Sequence, residues 1–436
     1  MTTVDIAGAE TGVETAPATF AQDSLIAPES AINVPSVVAL SGPVELSRVR
    51  SLLDTLTARH GALRTVLTST PDGGRQTILP EGEVRLDRFR HDRTVAAGLA
   101  EVLRAGSQRP FAVDGGRLAR ADLHDFADRS VLVLWLHHAI SDLVTSQVLA
   151  AEIAELWRGG ELPPPSGQMA EYARYERGLE PTPEDWAFWS KTLADVDDEL
   201  DVGYPAERSH LMLRPALPRL DPDVVTALQR LATAGRTTLT AVLAAAVVAN
   251  HAVAARRPAV LIGLTISNRE QPRWRTTVGC LADQIPLVVD VSGHPTFREL
   301  VGRVREALLD AYDHRLPLGR LRPLLRRPDL PLFAVNLNFL PPAVRRSSEP
   351  APPDDPVRLP YGIAKSSPDP WWLGDASLAY RPRLDDGELA GEIEGDARQH
   401  DAATVAGFGE RFIAVLAQAA RYPDRPIQTL VREVLG

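Results

Sequence analysis

Two adjacent histidines follow an apolar stretch in the first half of the chain. The segment LHHAISDL, residues 136–143, places His137 and His138 directly after SVLVLWL and puts Asp142 four residues after His138. Imidazole is the side chain best suited to move a proton near neutral pH, and such transfers typically contribute about 10² to 10⁴ in rate. The pattern therefore predicts acid–base chemistry in which one histidine takes the proton of an incoming amine or hydroxyl.

The residues of this segment are also compatible with two other interpretations. A metal site needs a third ligand, and neighbouring residues of a strand point to opposite faces, so we expect no ion shared by His137 and His138. Two ordinary core or turn histidines would explain the octapeptide equally well if it stood alone. The single cysteine, Cys280, excludes an internal disulfide, and we expect a buried, inert thiol because no histidine shares its motif.

Alternating strand and helix patterns are predicted around the histidines. Residues 31–40, 118–126 and 130–138 read as strands, and residues 46–61 and 143–157 show helical spacing, so the histidines end a strand. The second half repeats the alternation. Its predicted helices cover 222–234, 238–255, 296–313 and 402–420, and its predicted strands cover 259–266, 332–339, 376–381 and 388–394.

Length and charge limit the classes of protein to consider. A chain of 436 residues suits two lobes, and its net charge of -10 argues against nucleic acid as a partner. No apolar run reaches the roughly 18 residues of a membrane span, so we expect no membrane association. The N-terminus lacks the basic start and apolar stretch of a signal peptide, and with one cysteine this favours a reducing, cytoplasmic location.

Further stretches resemble the motifs of one known family, in that family's order. HHAISDL resembles the HHxxxDG signature of nonribosomal peptide synthetase condensation domains. The other similar stretches are FAQ (20–22), RHGALRTVL (59–67), AEYARY (170–175), EDWAFWSKTL (184–193), IGLTISNR (262–269), VGCLADQIPL (278–287) and GELAGEIEGDARQHDAATVAGF (387–408). Together they extend over most of the chain, so chance does not explain them.

The resemblance implies a mixed α/β fold of two chloramphenicol-acetyltransferase-like lobes, in a V-shaped pseudo-dimer with a central substrate tunnel. We expect a disordered tail over 1–18, an N-terminal lobe over 19–180 carrying HHAISDL, and a C-terminal lobe over 181–436. The C-terminal lobe would contain a floor loop at 270–290 and a proline-rich crossing segment at 345–375. No directly bound cofactor is implied, because an acyl or peptidyl carrier protein would supply the phosphopantetheine arm in trans.

The resemblance also assigns roles to individual residues. His138 matches the catalytic histidine and His137 the structural one beside it, while Asp142 and Arg269 match an aspartate and an arginine that pair. A planar guanidinium can hold a carboxylate through two hydrogen bonds, so we predict a structural ion pair at the active site. Whether His138 is a full general base or mainly orients the nucleophile stays open. The residues implied to shape the tunnel are Leu143, Trp135, Asp283 and Asn336.

Departures from the family pattern bear on substrate choice. Leu143 stands where the family has glycine, so it would narrow the tunnel or reshape it for an unusual substrate. Leu281 and Asp283 are weaker departures, at positions where phenylalanine and asparagine are common. The arginine-rich run 314–329, with Arg315, Arg320, Arg322, Arg326 and Arg327, is either a solvated helix face or a docking patch for an acidic carrier protein.

The implied function is formation of an amide or ester bond in natural-product biosynthesis. The donor would be a carrier-bound acyl or aminoacyl thioester, and the acceptor a small amine or alcohol or a second carrier protein. The alternative is a catalytically inactive condensation-like module that recruits a partner enzyme or carrier; the retained histidines, aspartate and arginine favour the enzyme. NLNFLP (336–341) weakly resembles an epimerisation motif, but no EGHGRE-like stretch accompanies it. Heterocyclisation is disfavoured because that class has aspartates in place of the histidines.

Overall fold

The structure is a computed structural model that describes residues 13–26, 32–41, 44–194, 212–252, 258–324, 333–339, 357–358, 376–385 and 387–435. The α-helices are α1 (Phe20–Asp23), α2 (Leu46–Arg59), α3 (Val95–Ser107), α4 (Leu143–Trp157), α5 (Met169–Arg177), α6 (Pro183–Thr192), α7 (Pro222–Ala234), α8 (Leu239–Ala252), α9 (Phe297–Asp313), α10 (Leu318–Leu321), α11 (Ala402–Arg421) and α12 (Ile427–Leu435). Short 3₁₀ helices cover Gly61–Arg64, His138–Ile140, Pro272–Trp274 and Arg322–Leu324.

The strands alternate with these helices in both halves of the chain. They are β1 (Glu14–Pro17), β2 (Asn33–Leu40), β3 (Thr65–Thr68), β4 (Arg75–Ile78), β5 (Arg85–Arg90), β6 (Ala119–Asp125), β7 (Ser130–His137), β8 (Met212–Leu213), β9 (Ala259–Ile266), β10 (Asp283–Asp290), β11 (Val335–Leu337), β12 (Val357–Arg358), β13 (Leu378–Asp385) and β14 (Glu388–Asp396). The alternation confirms the predicted mixed α/β class.

The chain divides into two units, and the first unit takes three separate segments. It comprises Met1–Leu179, Ser267–Ala282 and Arg345–Asp369. In its described part, five strands form one sheet in the order β12-β2-β7-β6-β5, and only β5 and β6 run parallel. Strand β7 lies between β2 and β6 and is apolar and buried along almost its whole length, as expected of a central strand. The sheet therefore carries His137 to a buried strand end.

Helices cover this sheet through close contacts. The ring of Trp135 in β7 lies against Gly106 in α3, where an added Cβ would come within 2.1 Å of a ring atom. Only glycine permits this approach of helix to strand. Helix α4, which follows β7 in the chain, contacts the neighbouring strand β2. A separate small sheet, with the order β1-β4-β3 among the described residues, completes the first unit.

The second unit comprises Glu180–Ile266, Asp283–Val344 and Pro370–Gly436. Its described strands form a six-stranded sheet in the order β10-β9-β11-β13-β14-β8. Helices α7, α8, α9, α11 and α12 pack into the apolar core of this unit, and α8 is buried on nearly every side. No single described helix is long and apolar enough to cross a membrane. Helices α7 and α8 together reach that length and apolar composition, but a bend of 102° separates them.

Several expected boundaries differ in the structure. The predicted tail over 1–18 is wrong at its end, because Glu14–Pro17 pairs with β4; residues 1–12 lie outside the described residues. The predicted floor loop at 270–290 of the C-terminal lobe is wrong in its unit and its extent, because Ser267–Ala282 belongs to the first unit and Asp283–Asp290 is strand β10. Of the proline-rich crossing segment at 345–375, only Val357–Arg358 is described.

Candidate active site

His138 opens a tight turn where the central strand of the first unit ends. Its backbone N–H donates to the Ile32 carbonyl at 2.9 Å, and its own carbonyl accepts the N–H of Ser141 at 3.1 Å, which closes the 3₁₀ turn His138–Ile140. The Gln22 side-chain amide donates to the Ala139 carbonyl at 2.9 Å. His138 is 1% exposed, so its imidazole lies in a buried, hydrogen-bonded turn.

His137 is held as a neutral structural residue. Its Nδ1 accepts the backbone N–H of Ala139 at 3.1 Å, so the ring proton is on Nε2. Burial, with the nearby positive charge of Arg120 as a smaller cause, lowers the pKa of His137 to about 3. The imidazole therefore stays uncharged at neutral pH and supports the turn that contains His138. This geometry agrees with the structural role implied for His137, which stays a prediction.

Asp142 and Arg269 form the predicted ion pair. The Nη2 of Arg269 donates to Asp142 Oδ1 at 2.9 Å and to Oδ2 at 2.8 Å, and each side chain is 5% exposed. Asp142 also caps α4 by accepting the Thr145 N–H at 2.8 Å. The pair thus joins the start of the helix after the histidine turn to a segment far along the chain, and the prediction of pairing is confirmed.

Arg269 organises the segment that follows it. Its Nη1 donates to the carbonyls of Trp274 at 3.0 Å and Thr277 at 2.7 Å. The preceding residue, Asn268, has φ 55°, a left-handed conformation that asparagine tolerates, and its side chain donates to the Leu281 carbonyl at 2.9 Å. These bonds fold residues 268–281 into a closed loop, because Asn268 and Arg269 at its start bind carbonyl groups in its middle and at its end.

Cys280 lies in this loop with its sulfur 3.5 Å from Nδ1 of His138. The thiol is 1% exposed, which confirms its predicted burial. No histidine shares its sequence motif, but the fold brings His138 against the sulfur, so the inertness of the thiol stays a prediction. The two residues are 142 positions apart in the chain, so their contact could not be read from either motif.

Leu143 and Trp135 occupy two different environments in the first unit. Leu143 is the half-buried first residue of α4, in ordinary helical backbone, so the local conformation does not demand the glycine of the family pattern. Trp135 is fully buried, and its indole N–H donates to the Asp122 carboxylate at 2.8 Å. It is a core residue beneath α3, and its role in shaping a tunnel stays a prediction.

Asp283 and Asn336, also predicted to shape the tunnel, belong to strands of the second unit. The Asp283 carboxylate accepts the N–H groups of Gln284 at 2.8 Å and Leu318 at 3.1 Å, while burial raises its pKa to about 6. Asn336 is 1% exposed and donates to the Thr265 hydroxyl at 3.3 Å. Both are anchored by hydrogen bonds in strands β10 and β11, and their tunnel roles stay predictions.

Two residues that sequence reasoning left without a role support the histidine turn. Gln22 lies in FAQ. Its side chain forms a capping box with Thr19 and also donates a hydrogen bond to the Ala139 carbonyl of the turn. Thr145 lies three residues after Asp142, and its hydroxyl donates to the Gly279 carbonyl at 2.8 Å. Gln22 stood in a recognised motif, which was a usable signal. Among the described residues, no group of three histidine, cysteine or acidic side chains is placed to hold a metal ion.

The chain is similar to known proteins over most of its length. The Condensation domain family matches residues 14–433 of the chain. The Malpibaldin synthetase of Mortierella alpina is 29% identical over 429 residues, which are 93% of this chain and 8% of that protein. The chain thus spans less than a tenth of that curated relative.

Solved structures show the same fold. The complex of the X-domain and OxyB from teicoplanin biosynthesis contains a chain that matches with a TM-score of 0.78 and 23% identity, covering 97% of each chain. The SgcC5 protein from Streptomyces globisporus matches with a TM-score of 0.75 and 24% identity, covering 94% of this chain and 100% of that one.

Proposed function

The chain belongs to the Condensation domain family, whose members are generally acyltransferases of nonribosomal peptide synthesis, and we propose that it forms an amide or ester bond. The proposed donor is an acyl or aminoacyl thioester on a separate acyl or peptidyl carrier protein. The proposed acceptor is a small amine or alcohol, or a second carrier protein. A phosphopantetheine arm, as part of the carrier substrate, would present the acyl group.

The placement of His138 carries this proposal. The ring lies at the end of a buried strand, in a turn where the His138 N–H donates to the Ile32 carbonyl and the His138 carbonyl accepts the Ser141 N–H. Directly after the turn, the Asp142–Arg269 pair anchors the start of α4. Catalytic groups act best when their surroundings hold them in a productive geometry. The fixed turn and the adjacent ion pair therefore favour a catalytic histidine over one in an inactive module.

His138 would act on the proton of the acceptor. The ring takes the proton from the attacking N–H or O–H as nitrogen or oxygen bonds to the thioester carbonyl carbon. It then gives that proton to the departing sulfur as the C–S bond breaks, which balances the transfer and returns the imidazole to its starting form. Its neighbour His137 takes no part in this exchange, because burial keeps it neutral with Nδ1 engaged.

Product analysis by mass spectrometry tests the proposal. Carrier proteins loaded with a panel of acyl thioesters are offered amines and alcohols in the presence of wild type, His138→Asn, or the control His294→Asn. His294 is exposed and has φ 55°, which asparagine tolerates, so the control should keep full activity. We expect His138→Asn to lose about 10² to 10⁴ in rate while retaining the wild-type circular dichroism spectrum.

Recruitment of a partner protein is the second candidate, because one similar solved structure is an X-domain in complex with OxyB. The replacement of the family glycine by Leu143 is the other feature in its favour. A recruiting module would give no product from any loaded carrier but would still bind a partner enzyme. Product formation by His138→Asn at the wild-type rate would instead remove the catalytic role from His138.

A further inference from the structure

A sulfur atom contacts the ring of the proposed catalytic histidine. Cys280 Sγ lies 3.5 Å from His138 Nδ1, within hydrogen-bonding distance for sulfur, and both residues are 1% exposed. Cys280 is the one cysteine of the chain. At this distance a thiol and an imidazole can form a hydrogen bond, in which either atom can be the donor.

Backbone hydrogen bonds on both sides of Cys280 fix this contact. Before it, the N–H and the carbonyl of Gly279 both bond the Thr145 hydroxyl, at 3.0 and 2.8 Å. After it, the N–H of Leu281 donates to Asp142 Oδ2 at 3.1 Å. Asp142 and Thr145 belong to the helix start that follows the histidine turn. The same short segment therefore positions both the imidazole and the sulfur.

Close packing adds to this restraint. A Cβ added at Gly279 would lie 2.3 Å from the sulfur of Met169, so the loop approaches α5 as closely as a glycine allows. A loop tied at both ends and packed against a helix holds its side chains in few conformations. The position of the Cys280 sulfur is thus as well determined as that of the ring it contacts.

We propose that Cys280 is a positioning residue for His138, accepting the Nδ1 hydrogen on its sulfur so that Nε2 is left unprotonated to act as the base. This inference rests on the proposed function. A fixed acceptor at Nδ1 selects one of the two neutral forms of imidazole and holds the ring in one orientation. Sulfur also stabilises the positive charge that develops when Nε2 takes a proton from the acceptor.

Three ionisable residues close to this pair in the chain are already held in one state. Asp142 and Arg269 are paired with each other, and His137 is kept neutral by burial. A protonated His138 would favour the thiolate of Cys280, and a thiolate would favour the protonated ring, because opposite charges stabilise each other at short distance. The two ionisations are therefore expected to be coupled, and either residue can report on the other.

The coupling can be measured without any substrate. The ultraviolet absorbance of the thiolate, titrated in the full chain against Cys280→Ala as the blank, follows Cys280 alone. We expect His138→Gln to raise the thiol pKa by about one unit, which is a ten-fold smaller thiolate fraction at neutral pH. His91→Gln, which alters a different histidine pair in the same unit, should leave the titration unchanged.

Kinetics test the positioning role itself. Cys280→Ala should lower kcat about ten-fold, move the acid limb of the kcat profile to lower pH, and leave KM unchanged. Cys280→Ser should restore part of both effects, since its hydroxyl can also accept the Nδ1 hydrogen. A purely structural cysteine would change the stability but not the pH profile.

Two results would overturn the proposal. One is a thiol titration that is identical in wild type and His138→Gln; the other is a Cys280→Ala pH profile that superimposes on that of wild type. If wild type forms no product with any carrier, the proposed function fails, yet the thiol titration still decides whether the pair is coupled.

Discussion

Replacing Asp142 by asparagine should destabilise the first unit at the histidine turn. Arg269 contacts both carboxylate oxygens, and the two side chains are 5% exposed. Removing one partner of a buried pair typically costs about 3 to 5 kcal/mol, because the other charge stays buried without compensation. Asparagine caps helices as well as aspartate does, so the cap on Thr145 adds little to this loss. We expect a loss near 3 kcal/mol in the free energy of unfolding, since Arg269 keeps its carbonyl partners at Trp274 and Thr277.

Cys280 gives a local measurement of the same change. Asp142 accepts the N–H of the next residue, Leu281, so its carboxylate holds the loop that buries the thiol. Alkylation of a buried thiol follows the population of the opened loop when opening is fast. When the full loss of about 3 kcal/mol lowers the free energy of opening this loop, alkylation by iodoacetamide should be about 100-fold faster, because each 1.4 kcal/mol is a factor of ten in an equilibrium constant.

Urea denaturation and alkylation should be compared with a matched cap variant. Asp401 caps α11 by accepting the Thr404 N–H at 2.7 Å, but it is exposed. Asp401→Asn should therefore leave the free energy of unfolding and the alkylation rate at their wild-type values. An Asp142→Asn protein with unchanged stability and unchanged alkylation would refute the reasoning that this pair holds the loop in place.

Three further changes have defined outcomes. Burial raises the pKa of Asp283 to about 6, so its stabilising effect is present at acid pH and is lost as the pH rises through about 6. Between about pH 7.5 and pH 5, the free energy of unfolding of wild type, measured by urea denaturation, should rise by about 1.4 kcal/mol relative to that of Asp283→Asn. Leu143→Gly should retain or broaden product formation in the mass-spectrometric assay, at a cost of about 1 kcal/mol in stability at the start of α4. Charge reversal at Arg320 and Arg322 should raise the apparent KM for a carrier-bound donor and weaken its salt dependence, whereas unchanged kinetics would mark a solvated surface.

Helices with regularly spaced apolar residues and recognisable end residues were predictable from the sequence. The helices α4 and α7 begin and end where their apolar spacing predicted. Strand β10 lies within residues 270–290, where the family resemblance implied a floor loop. Among the described strands it lies at the edge of its sheet, a position that tolerates Pro286. Helix α3 was missed because Gly98 and Gly106 weaken its helical signal, and Gly106 serves the packing of Trp135 instead.

The chemistry of the site was only partly predictable. His137, His138 and Asp142 lie within six consecutive residues, so a local pattern could identify them. Arg269 was predicted as the partner of Asp142 only from the family resemblance. The contact between Cys280 and His138 depends on how a distant loop is tied to α4, which no local pattern encodes. The bond from Gln22 to the histidine turn likewise spans 117 residues. Long-range pairs of this kind follow from tertiary packing alone.

The order in which the chain is synthesised bears on how the first unit folds. Asp142 leaves the ribosome 127 residues ahead of Arg269. At about 5 to 20 residues per second, this is a delay of roughly 6 to 25 seconds during which the carboxylate has no arginine to bind and must stay hydrated. The first unit therefore has to complete its folding after much of the second unit has been made. A fragment that ends at Leu179 would lack the segment Ser267–Ala282 of its own unit, so expressing the N-terminal lobe alone should yield an unstable protein.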